Sequence, residues 1–221
     1  MLLGARQFFE WRGAPTPPMP YDAEVEFIES TGTQWIDTGI FVTGSDEVEL
    51  IALITQAGAD IGDYRQLFGA RQSATSYCAE FFYNNNLFYT SFNNGSYVNR
   101  VTAIVRLDTK IRFLMSNSER SIFDLGTGTY IAQNTVEQAY DFQTQTHALL
   151  FAESGNTSAG KINPAFAKVY SLCIIDTTSG ITRMDLIPVR VGSVGYMYDK
   201  VSGRLFGNVG TGDFVIGPDK T

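Results

Sequence analysis

The chain has 221 residues, of which 44% are hydrophobic and 18% charged, and 16 basic against 23 acidic side chains give a formal net charge of −7. This apolar content suffices for a sizeable core, and the charged fraction is too low for a disordered chain. Basic residues stand singly rather than in a stripe, so nucleic acid is not an expected partner. No apolar run reaches the ~18 to 20 residues that cross a bilayer, and the first residues lack the apolar stretch of a secretory signal peptide.

Residues 1–22 differ in composition from the rest. Phe8, Phe9 and Trp11 crowd together before residues 13–20, which are rich in proline. Proline-rich sequence favours an extended, semi-rigid spacer, and clustered aromatic residues are usually covered by another surface. We therefore predict an N-terminal anchor and linker over residues 1–22, with Phe8, Phe9 and Trp11 inserted into a partner.

From residue 23 to residue 217, short segments with two-residue alternation recur between turn clusters, and helical periodicity is absent. The segments predicted as strands are 47–55, 66–70, 79–83, 87–92, 101–107, 111–115, 147–152, 166–175, 183–191, 195–198 and 204–206. Two hairpins are predicted, one turning at Asp108-Thr109 and one through residues 199–203. With 21 glycines for turns, this pattern predicts an all-β, antiparallel two-sheet sandwich followed by a short tail at 218–221.

The two cysteines, Cys78 and Cys173, both lie in apolar, strand-like sequence. We expect buried thiols rather than a disulfide. With His147 as the single histidine, the sequence offers no zinc constellation and predicts no cofactor. The isolated acids Asp60 and Asp63 belong to no calcium-loop motif, so no metal site is predicted, although whether calcium binds is left open.

Three stretches carry a family resemblance: residues 28–39, residues 149–152 with 167–172, and residues 187–208. Together they resemble the concanavalin A-like and laminin-G-like jelly-roll domains of gut bacteria and their phages. The resemblance implies a jelly-roll sandwich over residues 23–217. It indicates the fold better than the ligand, because the three stretches are strands and turns rather than sites.

Some lectin-like sandwiches are glycosidases, which need two carboxylates close together. Alternation places Glu24 and Glu26 on one face, and Glu47 and Glu49 repeat the pattern, but acids at strand entries and edges more often keep a sheet soluble. The sequence has no Gly-x-Ser-x-Gly motif that would supply a nucleophilic serine as a partner for His147. We therefore predict no catalytic residue and no enzyme.

The richest mixture of aromatic and amide side chains lies between residues 81 and 97. Sugars suit such a mixture, because they offer flat apolar faces and many hydroxyls. The same residues also make good hairpin turns and core positions, which is the competing interpretation. The candidate ligand-binding residues are Asn84, Asn85, Tyr89, Phe92, Asn93 and Tyr97.

With the resemblance, these observations predict a non-enzymatic surface protein, namely a head-fibre, capsid-decoration or tail-associated component of a phage virion. Residues 1–20 would dock into other virion or surface proteins, and the jelly roll would adhere to host or glycan surfaces. A carbohydrate-binding module of a bacterial surface or secreted system is the alternative, and a glycosidase is the less favoured one. The expected location is a virion or extracellular surface, and the sequence leaves a homo-oligomer open.

Overall fold

The computed structural model of the chain describes residues 18–57, 64–73, 76–84, 86–93, 101–135, 140–155 and 163–221. The predicted anchor residues Phe8, Phe9 and Trp11 therefore lie outside the described residues. The same holds for Asn85, Tyr97, Asp60 and Asp63.

Throughout these ranges the regular secondary structure consists of strands, and no helix occurs within them. The strands are β1 Ala23–Glu24, β2 Ile28–Thr31, β3 Ile36–Asp37, β4 Asp46–Ile54, β5 Arg65–Ser73, β6 Ser76–Asn84, β7 Leu87–Asn93, β8 Val101–Ile104, β9 Lys110–Met115, β10 Glu119–Asp124, β11 Thr129–Thr135, β12 Leu149–Leu150, β13 Glu153–Gly155, β14 Phe166–Asp176, β15 Ile181–Val191, β16 Val194–Asp199, β17 Arg204–Phe206 and β18 Val215–Ile216.

The strands form two sheets, here called the large sheet and the small sheet. The large sheet has eleven strands, eight of them in the order β11-β10-β9-β4-β14-β15-β16-β17, with β1 beside β15, β2 beside β14 and β18 beside β2. The small sheet has seven strands in the order β3-β12-β5-β6-β7-β8, with β13 also paired to β5. Pairing is antiparallel throughout, apart from the parallel pair of β13 and β5. The predicted all-β fold with two antiparallel sheets is confirmed at this level.

The inner faces of the two sheets contribute to one apolar cluster. Phe113 on β9 of the large sheet lies 5.6 Å from Phe81 and 5.1 Å from Phe88 of the small sheet, measured between ring centroids. Residues of β4 alternate between buried and half-buried along the whole strand, which is the two-residue period read from the sequence. The core therefore lies between the sheets, and each sheet keeps a second, outer face.

One of the two predicted hairpins is wrong. The strands on either side of Asp108 belong to different sheets, because β8 pairs with β7 of the small sheet and β9 pairs with β4 and β10 of the large sheet. Asp108 adopts a left-handed conformation with a φ of 55°, and its amide donates to the carbonyl of Ile54 over 3.3 Å. The segment thus carries the chain from one sheet to the other. The other hairpin, β16 with β17, is confirmed.

The two thiols lie in different sheets and are not joined in a disulfide, as predicted. Cys78 on β6 is buried. Cys173 on β14 is only half-buried, because it alternates with the core residues Leu172 and Ile174 and so faces outward. The expectation of two buried thiols is therefore met by Cys78 alone. In the described residues, no helix has the length and apolar character needed to span a membrane.

Candidate functional site

The outer face of the small sheet carries an unusual set of side chains. On β6, Ala79, Phe81 and Tyr83 belong to the core cluster. Strand alternation turns Glu80 and Phe82 to the opposite face. Residues paired in register across neighbouring strands share a face, so this outer surface can be followed from β5 to β8.

A buried pair of carboxylates occupies one half of this face. Glu80 is paired in register with Gly69 on β5, and Gly69 is also paired with Glu153 on β13, so both acids flank a residue without a side chain. Glu80 is fully buried and Glu153 is 6% exposed. Arg71 reaches both acids, with its Nε 2.9 Å from a Glu153 oxygen and its Nη1 3.8 Å from a Glu80 oxygen. Gln66 donates a further hydrogen bond to Glu153 through Nε2.

Among the described residues, this cluster joins the two acids with the guanidinium of Arg71. Burial and, after it, the negative charge of Glu80 together raise the pKa of Glu153 to about 8, while Arg71 acts in the opposite direction. A pKa raised this far favours the protonated form of Glu153 at neutral pH.

Apolar rings and chains occupy the other half of the outer face. Phe82 stacks on Tyr89, with ring centroids 4.8 Å apart and planes 9° from parallel, and Tyr64 tilts against Phe82 at 5.8 Å. The next row joins Asn84 on β6, Leu87 on β7 and Ile104 on β8 in register. The residues of this surface, here called the platform, are Tyr64, Phe82, Leu87, Tyr89 and Ile104.

Three platform side chains are open to solvent. Tyr64 is 50% exposed, Leu87 36% and Ile104 68%. Large apolar side chains that stand together at a surface often mark a place where something binds. Asn84 lies beside them, paired in register with Leu87, and its side-chain oxygen is buried.

The structure separates the predicted ligand-binding residues into two groups. Asn84 and Tyr89 lie on the outer face as just described, and Asn93 lies at the end of β7, where it is paired with Cys78. Phe92, in contrast, is fully buried and packs edge-to-face on Phe142 at 4.9 Å. Its inclusion in the ligand-binding set is wrong, because alternation along β7 turns it into the core.

Sequence reasoning missed Glu80, Glu153, Tyr64 and Ile104. The sequence did contain one signal for Glu80. It lies in the middle of the apolar run Cys78 to Phe82, where burying a charge is costly unless the charge is paired. No comparable signal points to Tyr64 or Ile104, because their positions beside Phe82 and Leu87 depend on strand register.

The other acids weighed in the sequence lie elsewhere on the surface. Glu24 contacts Lys220 at 3.6 Å, and Glu49 lies 4.0 Å from Arg112 on the large sheet. Burial, together with the neighbouring charge of Glu49, raises the pKa of Glu47. Among the described residues no three or more acidic, histidine or cysteine side chains converge as metal ligands.

Neither a protein-family model nor a curated protein matches the chain. Full-length tailspike protein 2 from a bacteriophage of Escherichia coli O157:H7 is similar at 10% identity over 73% of this chain and 27% of its own length, with a TM-score of 0.39. The enzymatically active domain of tailspike protein 2 from bacteriophage CBA120 gives 9% identity, 73% and 30% coverage, and a TM-score of 0.39. The chain thus spans less than a third of either protein, and likeness at this level assigns it neither a family nor a function.

Proposed function

We propose that the chain is a non-enzymatic adhesion protein of a phage particle. In this proposal, a jelly-roll sandwich of the concanavalin A-like and laminin-G-like kind binds glycan through the platform, and residues 1–20 dock into the particle. The two-sheet, all-β architecture fits that fold. The resemblance of residues 28–39, 149–152 with 167–172, and 187–208 supports both the fold and a setting in phages of gut bacteria.

The exposed platform is the observation that carries the glycan-binding function. A pyranose ring has an apolar face that packs on aromatic and aliphatic side chains, while its hydroxyls exchange hydrogen bonds with amides. Tyr64, Leu87 and Ile104 supply the apolar surface, and Asn84, whose Oδ1 is buried, would bond a sugar hydroxyl through its Nδ2 group. The stacked rings of Phe82 and Tyr89 hold the centre of this surface rigid, so little entropy is lost when a ligand is bound.

A substitution on the platform tests this function. Ile104→Arg places a charged side chain where the apolar face of a sugar would rest, so binding to oligosaccharides on a glycan microarray should fall about tenfold or more. Ile181→Arg is the matched control, because Ile181 is 63% exposed and lies on β15 of the large sheet. Both variants should melt close to the parent temperature, since surface substitutions seldom change stability much. The platform would be excluded as the glycan-binding site if Ile104→Arg bound oligosaccharides as well as the parent protein. The same would follow if Ile181→Arg lost as much binding as Ile104→Arg.

The carboxylate pair is the observation that favours a glycosidase as the second candidate. An acid with a pKa near 8 could protonate a leaving group. However, glycosidases keep their two carboxyl groups about 5 Å or more apart so that the sugar carbon or a water fits between them. Glu80 and Glu153 are instead both buried, and both contact the guanidinium of Arg71. Turnover of a panel of β-glucans, galactans and host glycans that disappears in Glu153→Gln would establish the enzyme.

The carbohydrate-binding module of a bacterial surface or secreted system would use the same platform in a different setting. The two proposals differ in what residues 1–20 attach to. Co-sedimentation with phage particles, rather than with bacterial envelopes, supports the adhesion protein of the particle.

A further inference from the structure

A candidate site separate from the platform lies at the opposite edge of the small sheet. It is an open cleft of about 300 Å³ where β3, β12 and β13 come together. Seven residues line it: Asp37, Phe41, Gln145, Thr146, His147, Leu149 and Ser154. Phe41 and Leu149 contribute apolar lining, and the other five residues contribute polar groups.

The imidazole of His147 is held in one orientation. Its Nδ1 lies 3.2 Å from Oδ1 of Asp37, and its ring packs edge-to-face on Phe41 with centroids 4.6 Å apart. Asp37 is itself fixed, because Oδ1 accepts a hydrogen bond from the amide of Gly39 over 2.8 Å. Within the part of the chain that the structure describes, Nε2 of His147 has no protein partner. The ring nitrogen opposite Asp37 therefore remains able to bond a ligand.

The serine beside this pair is not arranged as a nucleophile. The Ser154 hydroxyl donates to the backbone carbonyl of His147, and its oxygen lies 2.8 Å from Oγ1 of Thr146. A triad needs the serine hydroxyl on the imidazole nitrogen that faces away from the acid. Here that hydroxyl instead bonds the backbone of the loop that carries His147, so Asp37, His147 and Ser154 do not form a catalytic triad.

The groups around the cleft define the ligand they suit. A carboxylate offers about four acceptor positions, and Asp37 uses only part of them on Gly39 and His147, so a ligand that donates hydrogen bonds is favoured. Nε2 of His147 accepts in the neutral ring and donates in the charged ring, and a hydroxyl satisfies either form. Asp37 and the net charge of −7 disfavour an anionic ligand. Phe41 and Leu149 add a place for an apolar face.

We propose that this cleft is a second saccharide site, which binds a neutral pyranose through adjacent hydroxyls on Asp37 and His147. It rests on the proposed function in that it gives the adhesion protein another glycan contact, but its geometry is independent of the platform. Two weak sites on one chain raise the avidity for a surface coated with repeated glycans.

The single histidine of the chain makes the proposal directly measurable, because one imidazole gives one set of ring resonances. The full chain is titrated with the methyl glycosides of glucose, galactose, mannose and N-acetylglucosamine, and the imidazole nitrogens are followed by proton–nitrogen NMR. At least one glycoside should shift Nε2 saturably, with a Kd on the order of 1 mM. In Asp37→Asn, which keeps an acceptor for the Gly39 amide, the same glycoside should bind about tenfold more weakly.

Three outcomes would overturn the cleft site: no glycoside shifts the imidazole up to about 50 mM, the shift is unchanged in Asp37→Asn, or methyl glucuronide binds as well as the neutral sugars. The test of the cleft is independent of the test of the platform, because the platform is tested by the loss of microarray binding in Ile104→Arg. If no glycoside shifts the His147 imidazole but Ile104→Arg loses microarray binding, the cleft site alone is refuted. A saturable shift together with parent-like binding by Ile104→Arg refutes the platform alone.

Discussion

Phe92 and Tyr89 occupy the same strand but serve opposite faces of the small sheet. Phe92 is fully buried against Phe142, whereas Tyr89 stacks on Phe82 at the platform. Phe92→Ala should therefore lower the free energy of unfolding by about 3–5 kcal/mol, through lost burial and the cavity left behind. Urea denaturation measures this directly. A loss below about 1 kcal/mol would place Phe92 outside the core.

The carboxylate pair makes stability depend on pH in an unusual direction. Folding raises the pKa of Glu153 from 4.5 to about 8, so the folded chain binds a proton that the unfolded chain releases between these values. Stability from this group is fully present below the unfolded pKa and is lost as the pH rises through the folded pKa. The free energy of unfolding should therefore fall by at least about 1 kcal/mol between about pH 5 and pH 9.

Glu153→Gln provides the control for that dependence. Glutamine keeps the shape of the side chain and carries no charge at any pH, so the decline between about pH 5 and pH 9 should flatten. Thermal melts of both proteins across this range give the comparison. An equally steep decline in the variant would assign the pH dependence to another group.

Among the strands, β10 brings a charge into the space between the sheets. Arg120 lies two residues from the core residue Ile122 and so on the same face of β10; it is fully buried and donates from Nη2 to the carbonyl of Phe92 on β7. Burial lowers its pKa to about 10. Within the described residues, its Nε and Nη1 atoms have no hydrogen-bond partner.

A buried guanidinium with unpaired donors costs more than an apolar chain of similar length. Arg120→Met should therefore raise the free energy of unfolding by about 1–3 kcal/mol. Arg120→Ala should lower it, because it removes the packing of the side chain as well as the charge. Chemical denaturation of both variants tests the pair. A destabilised Arg120→Met protein would mean that the guanidinium stabilises the fold where it lies.

Strands with one buried face could be predicted from the sequence, whereas their partners could not. Alternation in β4 and the turn residues between β16 and β17 are local signals, and both predictions are confirmed. β10 was missed because Arg120 breaks its apolar period. The hairpin at Asp108 was wrong because a turn sequence does not reveal whether the next strand continues the same sheet. Which side chains meet on the outer face of the small sheet depends on the register of three strands, and of the residues assigned to the binding surface only Asn84 and Tyr89 were predicted.

On the scale of the whole molecule, the first backbone hydrogen bonds that tie the described chain into the sandwich are made by residues that follow residue 20. The amide of Asp22 donates to the carbonyl of Arg190 over 2.9 Å, and that of Val25 donates to the carbonyl of Pro188 over 3.0 Å. Val25 is also part of the core cluster. The fold is thus closed by residues 22–25 against β15.

Deletion of residues 1–20 should therefore leave a folded sandwich, with a melting temperature within a few degrees of that of the full chain. The same deletion removes Phe8, Phe9 and Trp11, and aromatic anchors commonly carry much of the energy of an interface. The truncated chain should consequently no longer co-sediment with the phage particle, while it still binds oligosaccharides on the microarray. Unfolding on truncation would make residues 1–20 part of the domain, and attachment that survives truncation would refute the anchor. The triple variant Phe8→Ser, Phe9→Ser, Trp11→Ser is the matched control, because it keeps the length of the segment and should lose attachment equally.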